Sequence, residues 1–510
     1  MVHLFPAVLT ALLATTTFAQ STERVWSSVA WILYGDRTPL LSDNPTLTPL
    51  GAQQLKAQGS ALRDRYLWKS IADDDDNIDN NGLDDIAPIH DMERYAINNR
   101  QLKVISTTDA YNVASAMAFF QGLYPPITQA MSNSTGGMMA ATLANGTVVD
   151  YPMDGYQYPQ IQTVSRLFNP NSIYLDGSSH CPSFLQAMAS FPQESTPASN
   201  LSSSSSFYAS LYPRIFNSSS LPLSQLDFRQ AYNIYDYANY HHLHNSKLSP
   251  LFADGELPRL RELASSEIRS RHGNLTIPIR SIAGRTLATH TKSLLLDNIR
   301  SAGYTNKLNL MFTSFEPFVA FFALSKLDAG ASRELFRELP YPGGVMLFEL
   351  FSTVNTSTGR NGKEEFPEVK DLKVRFLYKN STAPEARLRV YSLFETGVNF
   401  PVLEFTEFER RVNDVGVKGE KMDGDKDVEF GAKGQRKERV GSWELKNGKK
   451  FSGVSEGVTG GESGARMEAR DLMNPPGPSH LRAQGGRWEE DYDDDRLSLY
   501  GREPVKVREF

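Results

Sequence analysis

Apolar and polar positions follow two rhythms along the chain. A run of β-branched and aromatic residues extends from Val25 to Leu33 and stops at Gly35-Asp36. Short, apolar and closed by a turn pair, it predicts a buried strand running into a loop. Thr48-Pro49 then places an N-cap residue before a first-turn proline, and Leu55, Leu62 and Tyr66 recur on one helical face. Strand, loop and helix form one unit of an α/β sheet. The unit repeats with a strand over 101–107 and a helix over 109–123. The same alternation resumes near Ile277. It predicts a helix from Ile282 to Arg300, a strand from Leu308 to Thr313 and a helix from Phe318 to Leu327. Further strands are expected over Val345 to Phe351 and Val374 to Tyr378.

Between these halves the pattern is different. From about Pro125 to His272, Ser, Asn, Pro and Tyr rise and Ser202 to Ser206 is low in complexity, which suggests an inserted, mostly helical domain with long loops. After about Val415 apolar periodicity disappears, and sixteen of the 36 glycines lie in 416–510 among dense charges. That composition fits a disordered tail, or an untranslated segment read as coding. The expected organisation is a signal peptide over 1–19, the first part of an α/β core over 20–125, and a helical cap insertion over 126–272. The second part of the core spans 273–415, and the Gly- and charge-rich tail 416–510. The fold class is α/β: three layers, a doubly wound and mostly parallel sheet, and the inserted cap.

Composition narrows the compartment. Leu4 to Leu13 is apolar and is followed by Thr17-Phe18-Ala19, so a secretory signal cleaved after Ala19 is expected. Asn-X-Ser/Thr occurs at Asn133, Asn145, Asn200, Asn217, Asn274, Asn355 and Asn380, as in an extracellular glycoprotein. Cys181 is the single cysteine, so no intrachain disulfide can form. The net charge of −6 gives no basis for a nucleic-acid or anionic-membrane partner. No later apolar run reaches bilayer-spanning length; Phe318 to Leu324 is the richest.

The candidate chemistry lies in three strand-end segments. Leu33-Tyr34-Gly35-Asp36-Arg37-Thr38-Pro39 follows the first strand. Val104-Ile105-Ser106-Thr107-Thr108, with Tyr111 and Ser115-Ala116, follows the second, and Gly122-Leu123-Tyr124-Pro125 comes after it. Met311-Phe312-Thr313-Ser314-Phe315-Glu316 ends a later strand. In this order they resemble the signatures of the histidine acid phosphatases, a branch of the histidine phosphatase superfamily that includes the phytases and has a phosphoglycerate mutase-like fold. Ala283-Gly284-Arg285-Thr286-Leu287 and Tyr235-Asp236-Tyr237 belong to the same resemblance, which covers roughly 25–415. The resemblance implies a first strand ending in Arg-His-Gly-X-Arg-X-Pro, a second signature carrying arginines, and a third carrying His before Asp or Glu.

This chain departs from that pattern where the chemistry resides. Leu33 stands for the first Arg and Tyr34 for the nucleophilic His. Ile105 and Tyr111 occupy arginine positions, and Phe315 stands for the second His. Arg37 and Glu316 remain. A phosphohistidine mechanism needs an imidazole nucleophile, several cations on the phosphoryl oxygens and an acid for the leaving group. A phenol of pKa about 10 is a poor substitute. Losing a nucleophile alone costs on the order of 10⁴–10⁶ in rate.

Three functional readings follow. The first is a secreted, glycosylated and catalytically inactive member of that fold. The second is a binding protein for an uncharged or apolar ligand, bound by Leu33, Tyr34, Arg37, Ile105, Tyr111 and Phe315. The third is residual hydrolysis through Glu316 and water. An open cavity at these residues favours binding, whereas filling by the Tyr34 and Phe315 rings favours a structural remnant. Arg37 also has a structural reading, as the ion-pair partner of Asp36 or Glu316.

Other features carry less. Arg271-His272-Gly273 lacks a following Arg and Pro and ends a polar helical segment. Asn77, Asp79, Asn81 and Gly82 resemble the start of a calcium loop, but its twelfth position is Pro88 where Glu is needed. His241, His242 and His244 suit surface or cap packing, and Cys181 a free thiol. No cofactor or metal is expected, and a protein partner is not specified.

Overall fold

In the computed structural model, Val25–Leu33 does form a strand, and its neighbours explain its apolarity. The structure describes residues 23–419 and the pairs 443–444 and 450–451, except 68–85, 129–136, 166–174, 192–197, 355–364, 396–400 and positions 180, 190, 218 and 220. The expected signal peptide, the calcium-like segment, most of the tail, and Asn133 and Asn355 therefore lie outside the described residues.

The strands of the main sheet are β1 (Arg24–Leu33), β2 (Leu102–Thr107), β3 (Ile161–Val164), β4 (Leu308–Thr313), β5 (Val345–Ser352), β6 (Leu372–Lys379), β7 (Arg389–Tyr391) and β8 (Val402–Glu404). Their order is β3-β2-β4-β1-β5-β6-β7, with β8 paired to β6. β1 to β4 run parallel, β5 reverses, β6 returns to the first direction, and β7 and β8 reverse again. The sheet is thus mixed, with five of its eight strands pointing one way. β3 comes from within 126–272, so that insertion contributes an edge strand as well as helices.

Among the described residues, the helices of nine or more residues are α1 (Pro49–Tyr66), α2 (Ala110–Leu123), α3 (Ala198–Leu211), α4 (Ala231–His244), α5 (Glu256–His272), α6 (Ile282–Arg300), α7 (Glu316–Leu324) and α8 (Phe405–Val415). The Thr48 hydroxyl accepts from the Gly51 amide and caps α1 as its sequence implies. α7 begins two residues earlier than the apolar pattern suggests, because Glu316-Pro317 supplies an acidic, proline-bearing first turn.

Alternation along the strands builds the three layers. On β1, Ala30 and Ile32 face the cluster containing Leu55, Leu62 and Phe119 of α1 and α2. Val29, Trp31 and Leu33 face the opposite cluster, with Leu287 and Leu295 of α6, Phe321 of α7 and Phe408 of α8. Such burial on both faces explains why β1 reads as a continuous apolar run. The cap has its own core, with Tyr208, Phe216, Phe228, Ile234 and Leu260. α5 joins the two: Leu260 and Leu263 lie in the cap cluster, whereas Ala264 and Ile268 lie in the main core.

Register places the three strand-end segments together. Leu33 pairs with Thr313 across β1 and β4, and Ser106 pairs with Phe312 across β2 and β4. Loops 34–39 and 314–316 therefore leave adjacent strand ends, at the carboxyl edge where α/β sheets carry their sites.

Candidate functional site

The loop after β1 is held tightly against α1. A Cβ on Gly35 would collide with the Gly51 backbone, and the Gly35 amide donates to Ser115 Oγ at 3.2 Å. The Asp36 amide donates to Gln54 Oε1 at 2.8 Å, and the Thr48 hydroxyl bonds the Asp36 carboxylate. These contacts fix where Tyr34 and Arg37 point.

Both side chains are buried and belong to one network. Arg37 donates from Nη1 to Asp236 Oδ2 at 3.1 Å and to the Thr38 carbonyl at 2.9 Å, and its Nη2 lies 3.1 Å from Asp236 Oδ1 in the same ion pair. This is a charge-assisted pair, one hydrogen bond with the second guanidinium nitrogen facing the other carboxylate oxygen. Nη2 also reaches the Tyr34 hydroxyl at 3.2 Å and the Tyr232 hydroxyl at 2.9 Å, and the two hydroxyls are 3.1 Å apart. The guanidinium lies over the Tyr34 ring at 4.7 Å and the Tyr111 ring at 5.4 Å. Tyr34 meets Tyr111 edge-on at 5.0 Å, and Tyr232 packs on Phe315 at 4.4 Å. Asp236 also accepts the Leu40 amide at 2.8 Å.

Electrostatics follow from this packing. Burial raises the Tyr34 pKa above that of an ordinary phenol; Asp236 adds to the rise, while Arg37 and the Tyr232 hydrogen bond oppose it. Burial likewise pushes Tyr232 well up. Burial alone would lower the Arg37 pKa, but the Tyr34 and Tyr232 oxygens and the Asp236 carboxylate outweigh it. The site therefore holds a firmly charged cation and two neutral phenols at neutral pH.

Little space is left. The cavity bounded by Leu33, Tyr34, Arg37, Tyr232, Asp236 and Phe315 measures about 50 Å³, room for one or two waters. Tyr34, Phe315, Tyr111 and Ile105 are 5%, 5%, 6% and 7% exposed, so rings and aliphatic carbon fill the strand ends.

The sequence-derived site residues divide accordingly. Leu33, Tyr34, Arg37 and Phe315 line the cavity, and Tyr111 supports it through Tyr34 and Arg37. Ile105 lies in the surrounding apolar core. Glu316 heads α7 and is not among the described lining residues. The expected partner of Arg37, Asp36 or Glu316, is corrected: the partner is Asp236. Asp36 instead accepts Thr48 and meets His244 Nε2 at 2.7 Å. The other cap histidines pack on rings, His241 on Tyr237 at 4.2 Å and His242 on Phe252 at 5.3 Å. His272 is buried against Phe184. Among the glycosylation motifs, Asn145 and Asn217 are exposed, and Asn274 and Asn380 are half-buried.

Sequence reasoning missed Tyr232, Asp236 and His244 as site residues. Their signal was the four-residue spacing of Tyr232, Asp236, Tyr240 and His244 along α4, which places them on one face. That face covers the strand ends.

No family model and no curated protein matches the chain. Solved structures similar to it include the apo phytase of Hafnia alvei, at 12% identity, covering 77% of this chain and 97% of that one with a TM-score of 0.44. The phytase of Citrobacter braakii is similar at 14% identity, covering 77% and 98% with a TM-score of 0.43. A multiple inositol polyphosphate phosphatase of Bifidobacterium longum, in complex with inositol hexasulfate, is similar at 12%, covering 80% and 96% with a TM-score of 0.43. At such identities and scores the chemistry of the site rests on this chain's own residues.

Proposed function

We propose that this is a secreted glycoprotein on a histidine acid phosphatase-like scaffold that does not hydrolyse phosphomonoesters. The observation that carries the reading is the Arg37–Asp236 ion pair, made within the chain at the strand ends. A guanidinium fork in a phosphatase would hold two oxygens of an incoming phosphate. Here the chain's own acceptors already occupy both nitrogens, Asp236 and the Thr38 carbonyl on Nη1 and the Tyr34 and Tyr232 hydroxyls on Nη2. The other arginine lining the cavity, Arg261, is bound to the Tyr235 hydroxyl and the Leu339 carbonyl, so a substrate dianion would have to displace these partners. The residue at the nucleophile position is a phenol whose burial moves it further from ionisation. No imidazole is among the described residues lining the cavity.

The extracellular part of the reading rests on the Leu4–Leu13 apolar run, Ala19 and the seven glycosylation motifs. No helix among the described residues is long and apolar enough to cross a membrane. The test is hydrolysis of p-nitrophenyl phosphate and phytate by the glycosylated protein purified from medium. We expect no turnover above a heat-denatured control. Turnover of about 1 s⁻¹ or more that disappears in Arg37→Ala would overturn the reading.

A further inference from the structure

A second cavity, of about 660 Å³, opens between α5 and the segment after α7. Its volume is in the range of small-molecule sites. Arg261, Ser265 and Arg269 line it at four-residue spacing along α5, with Glu334, Arg337, Glu338 and Tyr341 opposite. At 1.5 Å per residue, Arg261 and Arg269 are about 12 Å apart along the helix axis.

The two ends of this cleft differ. At one end Arg261 donates to the Tyr235 hydroxyl at 3.1 Å and lies 3.6 Å over the Tyr341 ring. Leu257 and Pro258 complete an apolar and aromatic wall there. At the other end are Arg269 and Arg337, both half-buried. Arg337 donates from Nε to the Asp328 carbonyl at 2.9 Å, and neither guanidinium has a carboxylate within ion-pair distance among the described residues. The carboxylates of the cleft are already engaged: Glu262 with Arg259 at 2.6 Å, Glu334 with Arg333 at 3.0 Å, and Glu338 with Arg261 at 3.7 Å. Burial lowers the Arg269 pKa and nearby Arg337 adds to the effect, against Asp328 and Glu334. Arg269 and Arg337 are thus half-buried like charges that line one cavity, with no carboxylate of the described residues paired to either.

We propose that this cleft binds a small amphiphilic anion, a phosphate or carboxylate on an apolar body, with Arg269 and Arg337 on the charged end and Tyr341 and Leu257 along the body. An anion there relieves the repulsion between the guanidiniums and satisfies their free donors. The aromatic end buries the remainder. The cleft adjoins the strand-end cavity and shares Tyr235, Asn239 and Arg261 with it, but the anion is held by Arg269 and Arg337, which do not line that cavity.

The test is calorimetric titration of the full-length glycosylated protein, at one ionic strength, with octyl phosphate, octanoate, inorganic phosphate and octanol, the alkyl chain being long enough to reach from one end of the cleft towards the other. Octyl phosphate, octanoate or both should bind at one equivalent, with inorganic phosphate and octanol at least about tenfold weaker. Arg269→Gln and Arg337→Gln should each weaken that binding by about tenfold or more. Arg337→Gln, on the shorter and more exposed segment, tests the site even if the α5 variant melts early. Absence of binding by both anions, equal binding of inorganic phosphate, or binding that survives both substitutions would overturn the proposal.

Discussion

Glu349 in the sheet and Glu267 in α5 are both buried glutamates, yet they titrate in opposite directions. Glu349, on β5, takes Nε and Nη2 of Arg65 at 2.6 and 2.9 Å, the Tyr66 hydroxyl at 2.6 Å, and Nε of Arg375 at 2.5 Å. Burial alone would raise its pKa, but the two arginines and these hydrogen bonds hold it down to about 2. Glu267 has Arg271, four residues on, as its ion-pair partner, and that side chain is 33% exposed. There burial wins and the pKa rises to about 7, against the pull of Arg271. Burial therefore does not determine a carboxyl's charge by itself. The number and fixity of its cationic partners decide it. The α/β core encloses its charge completely, whereas α5, at the junction of core and cap, leaves its own half-satisfied.

That contrast can be broken in order of size. Glu349→Gln removes the charge shared by Arg65 and Arg375 and should cost about 3–5 kcal/mol, read as a lower urea midpoint at pH 7. The pH dependence has a definite sign. The folded pKa of Glu349 lies below its unfolded value of 4.5, so its contribution is present above pH 4.5 and is lost as pH falls towards 2. At full extent this is on the order of 3 kcal/mol. Urea midpoints should fall between pH 4.5 and 2 in the native chain and more shallowly in Glu349→Gln; parallel profiles would refute the assignment.

Asp236→Asn comes next. It leaves Arg37 buried without its carboxylate and should cost roughly 2–3 kcal/mol, less than a fully enclosed pair because Asp236 is 16% exposed. Added phosphate should recover part of that loss by binding the freed fork, and should not stabilise the native chain by that route. A melting temperature that responds to phosphate equally in both proteins would show that the fork was never occupied by Asp236.

Glu267 has the reverse sign. Its folded pKa of about 7 lies above the unfolded 4.5, so its contribution is present below pH 4.5 and is lost as pH rises through 7. Glu267→Gln should stabilise the protein by roughly 1–2 kcal/mol at pH 8 and have little effect at pH 4.5. A destabilisation at pH 8 would mean that the Arg271 pair outweighs burial. The smallest effect is expected from His244→Ala. It removes a partly exposed contact to Asp36 and should cost about 1 kcal/mol or less in a thermal melt.

The elements that were legible in the sequence are those with local causes. β1 is a continuous apolar run, α1 has Thr48 and Pro49 at its start, and α6 runs from Ile282 to Arg300 as its spacing implies. β3 was not legible, since four residues with two of them exposed carry no alternation to detect. The strand-end segments were legible as a set, because their order along the chain matches the register that joins β1, β2 and β4. Their occupants were not. Asp236 is 199 positions from Arg37, and His244 is 208 from Asp36. Nothing local distinguishes Asp236 from nearer acids as a partner.

The sequence by itself determined which groups this protein can bring to its strand ends: a phenol at 34, a phenyl ring at 315, and Arg37 as a cation. Those are covalent facts, and they limit the chemistry before any folding. Only the tertiary structure decided that the Arg37 fork holds a carboxylate of the chain's own cap, that Glu349 is an anion, and that burial outweighs the one guanidinium paired with Glu267. The physical reason is that desolvation and Coulomb interaction depend on distance and enclosure, and neither is set until segments some two hundred residues apart are packed together.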